Sequence, residues 1–204
     1  MSRMEGRSSK GSPVIGILYR TARREVRRMT GKPLLTPDIP VRAHRLSLLF
    51  GYGALEKAVA SRPRVPEQLR ALAALKSAVM QGCEMCQDIG SFEARAKGID
   101  DRQLRDLHRY RESEHFDELE RLVLDLAVGM TVTPVRVQDE LIAALRLHLD
   151  DSQLVELVNL IAVENLRSRF NAAFDLRAAG FSEGMACAPM ETGTEGLSRV
   201  VQPV

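Results

Sequence analysis

The chain has 204 residues, of which 45% are hydrophobic and 27% charged, so it can bury a core and is too apolar for a disordered protein. Aromatic residues make up only 4% and tryptophan is absent, which argues against a β-sandwich or barrel and favours helices. The net charge of +2 is unevenly spread, because residues 1–45 hold 11 basic and 3 acidic side chains and the remainder holds 18 and 24.

The N-terminal part is basic and contains several prolines. Residues 1–12 are polar and rich in serine and glycine, so we predict a disordered N-terminus. Helically spaced apolar residues between Pro13 and Thr30, followed by three prolines, predict a basic helical arm and a Pro-rich linker over residues 13–40. No recognised DNA-binding motif follows and few aromatics are available for stacking, which argues against nucleic acid. We expect the arm to dock on an acidic surface of an oligomer.

Helical periodicity then continues over residues 41–180, which we predict to form one helical domain. Predicted helices run from Val41 to about Arg62, over residues 67–81, from Cys83 to Gly98, from Asp100, from Asp117, from Thr133-Pro134, and from Asp150 to about Ala179. No segment shows a convincing strand pattern, so the predicted fold class is all-α. Residues 181–204 are polar and are predicted to be a loose C-terminal tail.

Cys83 and Cys86 form a C-x-x-C motif at the start of a predicted helix, which places them on one face and close enough for a disulfide. The N–H groups of a helix N-terminus stabilise a thiolate, the reactive form of cysteine. The motif indicates a reversible dithiol/disulfide in which one thiolate attacks a peroxide or disulfide and the other resolves the intermediate. Two inert buried cysteines are the alternative.

Other uses of the cysteines have less support. A zinc site needs two further ligands, and no second C-x-x-C or suitably spaced histidine pair exists, so we predict no metal. Cys187 lies in the polar tail and is predicted to be an incidental free thiol, with exchange against the pair as the alternative. The odd number of cysteines, the absence of an apolar signal-peptide segment and the lack of any run long enough to span a membrane predict a cytoplasmic protein without membrane contact.

Two segments carry a family resemblance. Residues 72–100 contain an apolar helix, a Q-G-C-x-x-C turn and a helix with E-A-R-x-x-G, and residues 118–174 end in R-F-N-A-A-F. These features resemble the carboxymuconolactone decarboxylase family, in its alkylhydroperoxidase D-like branch, over about residues 41–180. The resemblance implies a compact multi-helix fold that forms homo-oligomers, often trimers or hexamers. It also implies reduction of a hydroperoxide or disulfide substrate, a reducing thiol partner, and no metal or organic cofactor.

The resemblance is incomplete at a proton relay. The family usually has a histidine four residues after the second cysteine and a glutamate twelve residues before the first, but this chain has Gly90 and Ala71 there. We therefore consider other side chains as possible relay groups: Glu67, Asp88, Glu164 and His115. Each has the alternative of a plain ion pair or a solvated side chain.

The reasons for these four candidates differ. Glu67 lies one turn before Ala71, and Asp88 lies inside the motif, although at a position that faces away from Cys86 on a regular helix. Glu164 lies in an apolar stretch where burial would raise its pKa, but it also has an arginine three residues later as an ion-pair partner. His115 lies in a predicted loop and could swing towards a pocket.

The sequence therefore predicts a thiol-dependent oxidoreductase with Cys83 and Cys86 as the catalytic pair. Which cysteine attacks stays open, because the helix terminus favours Cys83 whereas the family's relay lies beside the second cysteine. A decarboxylase or lactone-processing enzyme of the same family is one alternative, although the sequence shows no cationic cluster to hold its carboxylate substrate. A non-catalytic oligomeric binding protein with a basic arm is the other.

Overall fold

The computed structural model describes residues 2–10, 12–32 and 35–190, and within these ranges the chain forms nine α-helices, one 3-10 turn at residues 107–109, and no strand. The helices are α1 (Pro13–Thr30), α2 (Asp38–Arg42), α3 (Leu46–Ala60), α4 (Glu67–Met80), α5 (Glu84–Ala96), α6 (Asp101–Asp106), α7 (Glu118–Thr131), α8 (Asp139–Leu145) and α9 (Asp151–Phe174). The predicted all-α fold is confirmed. No helix within the described ranges is both long and apolar enough to cross a membrane.

Helix α4 is the centre of the fold and packs against α5, α7 and α9. Its sequence is rich in alanine and leucine on most sides, which is typical of a helix that is buried all round. Leu72 and Leu75 are fully buried against α6 and α7 on one side, and Ala73 joins α7, α8 and α9 on another. This central position is what lets α5 and α9 meet at the cysteine motif.

Three helices begin at the residues that the capping patterns predict. The side chains of Asp100, Asp117 and Asp150 each accept a backbone N–H from the first turn, and a glutamine or glutamate three residues later returns the bond. These reciprocal bonds satisfy N–H groups that the helix itself leaves free. The predicted starts at these three positions are therefore confirmed.

The predicted helix from Val41 to Arg62 is wrong in its first part, because the chain is broken between α2 and α3. Ala43 is fully buried against Ile15 of α1, and Arg45 has an extended backbone before α3 begins. The turn brings Ala43 under α1, so burial of this side chain outweighs continuation of the helix. Gly51 and Gly53 remain inside α3.

The predicted helix start at Thr133-Pro134 is also wrong, because α8 begins only at Asp139. Residues 132–138 fold back on the end of α7, where the N–H of Arg136 donates to the carbonyl of Gly129 at 2.8 Å. The carbonyl oxygen of Arg136 occupies the space that a Cβ on residue 129 would need. Gly129 in α7 therefore leaves room for the loop of residues 132–138, which precedes α8.

Helix α9 ends at Phe174, earlier than predicted, because Asp175 adopts a left-handed conformation with φ 54°. The chain then crosses α5, and Phe181 and Ala188 are buried there. Over residues 181–190 the chain is thus packed rather than loose, while residues 191–204 lie outside the described part. Leu166 is 49% exposed on the other side of α9.

The basic N-terminal part lies along the outside of this bundle. Ile15 and Tyr19 bury one side of α1, whereas its arginines are exposed. The described part of the predicted disordered N-terminus runs past α2 and the end of α9, where the N–H of Arg3 donates to Phe174 and that of Arg7 to Pro40, both at 2.8 Å. The predicted boundaries at residues 12, 40 and 180 stay predictions.

We predict that Gly129→Ala destabilises the protein by about 1–3 kcal/mol, because the new methyl group would displace the backbone of the loop after α7. Gly53→Ala is the matched control, since no atom lies within 4 Å of a Cβ there and helix propensity favours alanine. Urea unfolding measures both variants. Equal stability of the two would show that the close approach at Gly129 carries no cost.

Candidate functional site

Cys83 and Cys86 form a disulfide at the start of α5, with their Cα atoms 5.3 Å apart, as their spacing predicts. Gly82 turns the chain between α4 and α5 with φ 67°, a conformation that glycine adopts without strain. Cys83 is the N-cap of α5, and its sulfur accepts the N–H of Cys86 at 3.2 Å. Both side chains are buried, so the protein surrounds the sulfurs almost completely.

Helix α9 covers the disulfide with two polar side chains. The Asn171 amide nitrogen donates towards both sulfurs, 3.5 Å from Cys83 and 3.3 Å from Cys86. The Ser168 hydroxyl lies 3.6 Å from the sulfur of Cys86. Apolar side chains pack around these contacts, including Phe170 of the same helix. Asn171 and Ser168 are buried, so their polar atoms face the sulfurs rather than water.

Ser168 also connects Cys86 to a buried acid. Its hydroxyl donates to a carboxylate oxygen of Glu164 at 3.0 Å, and Glu164 is 2% exposed. Burial raises the pKa of Glu164, although the neighbouring Arg167 and the Ser168 hydrogen bond act in the opposite direction. A carboxylate with a raised pKa is a better proton acceptor at neutral pH than an ordinary glutamate.

Two α3 residues complete this polar chain. Arg167 forms an ion pair with Glu164 and donates to both oxygens of Glu56 at 2.8 Å. The Tyr52 hydroxyl bonds to Glu56 and accepts from Arg167 at 3.1 Å, and burial raises the pKa of this phenol. Arg167 thereby pairs with two carboxylates at once, and hydrogen-bonded groups extend from Cys86 across α9 to α3.

A small cleft opens beside Cys83 and has a volume of about 50 Å³. It lies between the start of α5 and the end of α9, and Cys83 lines it whereas Cys86 does not. At its edge Arg177 pairs with Glu84 at 2.6 Å and with Asp175 at 2.7 Å. Cys83 is therefore the cysteine that lines the cleft, and Cys86 is the one that Ser168 connects to the buried acid.

Only one of the four relay candidates lies at the cysteines, and it is Glu164. Glu67 is largely exposed and pairs with Lys97 at 3.0 Å. His115 lies 3.8 Å from Asp106, at the far side of α4. The structure therefore separates Glu67 and His115 from the sulfurs.

Asp88 points away from Cys86, as its position on α5 indicates. Its carboxylate accepts four backbone N–H groups from residues 179–182, at distances of 2.6–3.0 Å. The side chain is buried, so these bonds replace its hydration. Asp88 thus holds the segment after α9 on α5, next to the cleft.

Gly90 and Ala71, at the positions where the family usually has its relay residues, both lie in packed surroundings. A Cβ on Gly90 would lie 3.1 Å from a methyl group of Leu75, so α5 and α4 approach too closely for a histidine without movement of Leu75. Ala71 is half-buried and packs against a core cluster of α4, α5 and α7. The relay of the family is therefore absent here for steric as well as chemical reasons.

Several residues of the site were not predicted from the sequence. On α9, residues 164, 168 and 171 recur at spacings of four and three, so a buried polar stripe could have been recognised. Tyr52 and Glu56 lie on α3, more than a hundred positions before Arg167, and no local pattern connects them. Within the described ranges, no group of three histidine, cysteine or acidic residues is placed to hold a metal, and Cys187 is a half-buried free thiol.

The chain resembles known proteins in its sequence. Residues 49–128 match the model of the carboxymuconolactone decarboxylase family. The uncharacterized protein YnjA of Escherichia coli K12 is 34% identical over 142 residues, which cover 70% of this chain and 75% of YnjA.

Two solved structures share the fold. A peroxidase-related protein from Ralstonia eutropha JMP134, described as an alkylhydroperoxidase AhpD core, superposes with a TM-score of 0.75 at 17% identity, covering 88% of this chain and 94% of its own. A cysteine-to-alanine variant of the debrominase Bmp8, in complex with 2,3,4-tribromopyrrole, gives 0.73 at 18% identity, covering 98% and 100%. At these identities the structural likeness concerns the fold alone.

We predict that Asp88→Ala lowers the free energy of unfolding by about 2–4 kcal/mol, because four backbone N–H groups lose their acceptor. It should also make residues 176–190 the first site of limited proteolysis. Asp101→Ala is the control, because this exposed aspartate forms a surface pair with Arg95 worth less than about 1 kcal/mol. An Asp88 variant as stable and protease-resistant as this control would contradict the anchoring role.

Proposed function

Because the chain belongs to the carboxymuconolactone decarboxylase family, we propose that it is a thiol-dependent oxidoreductase of the alkylhydroperoxidase D-like branch. Its Cys83–Cys86 pair would reduce a hydroperoxide or the disulfide of a partner. The observation that carries the proposal is the disulfide at a helix N-terminus with Ser168 and the buried Glu164 behind it. The activity requires a reducing thiol partner, which a cytoplasmic location supplies.

The proposed cycle starts from the dithiol. The thiolate of Cys83 attacks the distal oxygen of a hydroperoxide, so an S–O bond forms, the O–O bond breaks, and the alcohol leaves with one proton. The thiolate of Cys86 then attacks the sulfenic acid, so the S–S bond forms and the hydroxyl leaves as water with a second proton. An external dithiol restores the pair by two thiol–disulfide exchanges and is itself oxidised to a disulfide.

The division of roles follows from access. Cys83 lines the cleft, so it is placed to meet the substrate and the external thiol. The N–H of Cys86 and the amide of Asn171 donate to its sulfur, and both bonds strengthen when the sulfur carries a negative charge. Cys86 does not line the cleft, and we assign it the resolving role.

Deprotonation of Cys86 is the step that needs a base, because the thiol is buried beside apolar side chains that disfavour its charged form. We assign this step to Glu164, which would take the proton through the hydroxyl of Ser168. Arg167 would hold the carboxylate in place and limit the rise of its pKa. In this chain the proton would thus move along α9, through Ser168 to Glu164, instead of through the family's usual relay residues.

Assembly into a homo-oligomer, as a trimer or hexamer, is part of the proposal. Large apolar side chains are exposed on several helices, among them Leu147 after α8, Val155 on α9 and Phe50 on α3. Burial of such side chains between copies would remove apolar surface from water. Sedimentation analysis of the full chain tests this part independently of activity.

We predict that Cys83→Ser and Cys86→Ser each lower turnover of cumene hydroperoxide, with a dithiol as reductant, at least about 100-fold. Cys187→Ser is the matched control and should keep wild-type turnover, because Cys187 is a free thiol outside the pair. Wild-type turnover in both single variants would refute the thiol mechanism. Lactone or carboxylate processing that survives thiol alkylation would instead favour the family's decarboxylase activity.

We predict that Ser168→Ala lowers turnover about 100-fold near pH 7, because it breaks the connection between Cys86 and Glu164. The deficit should shrink as the pH rises above neutral, because a growing hydroxide concentration then replaces the base. Ser77→Ala is the control, since this equally buried serine donates only within α4. A Ser168 variant whose pH profile parallels that of the wild type would rule out the relay.

A further inference from the structure

The Asn171 side chain is incompletely hydrogen-bonded, although it lies against the disulfide. It is 1% exposed, and the cysteines that it contacts are packed among apolar side chains. Its amide nitrogen lies 3.5 Å from the sulfur of Cys83 and 3.3 Å from that of Cys86. Its oxygen, Oδ1, is buried and has no partner among the described residues. A buried acceptor without a donor is costly, so this oxygen needs an explanation.

Turning the amide of Asn171 over does not complete its hydrogen bonds. Oδ1 would then face the two sulfurs, and the sulfurs of a disulfide carry no hydrogen to donate. The nitrogen would in exchange lose both of its contacts. Whichever way the amide faces, the disulfide form therefore leaves the oxygen of Asn171 without a donor from the described part of the chain.

Ser168, the other polar side chain of α9 at the sulfurs, has no such deficit. Its hydroxyl contacts Cys86 and donates to Glu164 at 3.0 Å, so it has an acceptor while the disulfide is intact. For Oδ1 of Asn171 the donor has to be a neighbouring group of the protein, because the oxygen is closed off from solvent. Reduction creates such a group, since each sulfur of a dithiol can carry a hydrogen.

We propose that Asn171 shifts the redox equilibrium of the cysteine pair towards the dithiol. Reduction breaks the S–S bond with two electrons and two protons, which an external dithiol supplies as it becomes a disulfide. The thiol of Cys86 then donates its S–H to Oδ1, while the amide nitrogen stays on the sulfur of Cys83. Asn171 is thus a positioning residue that makes the disulfide easier to reduce, and its value for turnover rests on the proposed function.

The two ends of one amide suit the reduced pair. Two sulfurs that are no longer bonded lie further apart than in a disulfide, and an amide offers a donor and an acceptor side by side. Rotation about the Cβ–Cγ bond of Asn171 brings Oδ1 towards Cys86. For the resolving step, the S–H of Cys86 turns about its own Cβ–Sγ bond to the Ser168 hydroxyl, 3.6 Å away. The resting dithiol and the resolving step therefore use different acceptors.

Equilibration of the full-length protein with defined mixtures of reduced and oxidised dithiothreitol tests the proposal. In a Cys187→Ser background, alkylation followed by mass spectrometry gives the fraction of the pair that is reduced. We expect Asn171→Leu, which roughly keeps the size of the side chain, to lower the equilibrium constant for reduction about ten-fold, or about 30 mV in reduction potential.

Asn165→Leu is the matched control and should keep the equilibrium constant of the parent protein. This amide is also buried on α9, but its oxygen accepts from Gln81 and its nitrogen donates to Thr131 and Ile161, all independent of the sulfurs. A purely structural role of Asn171 would lower the stability of both redox forms and leave the constant unmoved. A constant that stays the same or rises in Asn171→Leu would therefore overturn the proposal.

A measurement without substitution of Asn171 keeps the test decisive should the leucine variant fail to fold. The ¹³Cγ resonance of an asparagine moves downfield when its oxygen accepts a hydrogen bond. We expect this shift for Asn171 on reduction and none for Asn165, and no downfield shift at Asn171 would contradict the new bond. Neither measurement uses a hydroperoxide, so a failure here is distinguishable from a failure of the proposed function, which the turnover of the cysteine variants decides.

Discussion

The packing of α9 across the start of α5 is the contact on which the site depends. It buries polar side chains of α9 against a disulfide, and buried polar groups are stable only when each finds a partner. The amide nitrogen of Asn171 contacts the two sulfurs, Ser168 contacts Cys86 and Glu164, and Arg167 pairs with the buried acid. One helix therefore both completes the core and places polar side chains against the disulfide, while the Oδ1 of Asn171 is buried without a partner among the described residues.

The same helix separates two environments. Its inner side meets α4 and the sulfurs, whereas Leu166 and Phe170 face a groove whose other wall is α3. Arg167 and Tyr52 connect the two sides through hydrogen bonds. This arrangement explains why α3 is strongly apolar and yet half exposed: its partner surface is a groove rather than a closed core.

Local sequence patterns were sufficient to predict much of this fold. Capping aspartates located the starts of α6, α7 and α9, and the spacing of Cys83 and Cys86 was enough to predict their disulfide, because both depend on neighbours within one or two turns. The starts of α3 and α8 were not predictable in this way. They are decided by burial of Ala43 under α1 and by the loop that closes on Gly129, which are contacts between distant parts of the chain.

The sequence by itself determined an all-α protein of this family, a cysteine pair close enough for a disulfide, and Ala71 and Gly90 at the positions of the family's usual relay. Only the tertiary structure decided that Glu164, among four candidates, reaches Cys86 through Ser168, and that Asp88 serves as an anchor instead. The uneven charge of the sequence also has a structural counterpart, since two arginines of the basic stretch line an apolar groove. The physical reason is common to these cases: a side chain's chemistry is local, but its solvation and its partners are set by helices far away in sequence.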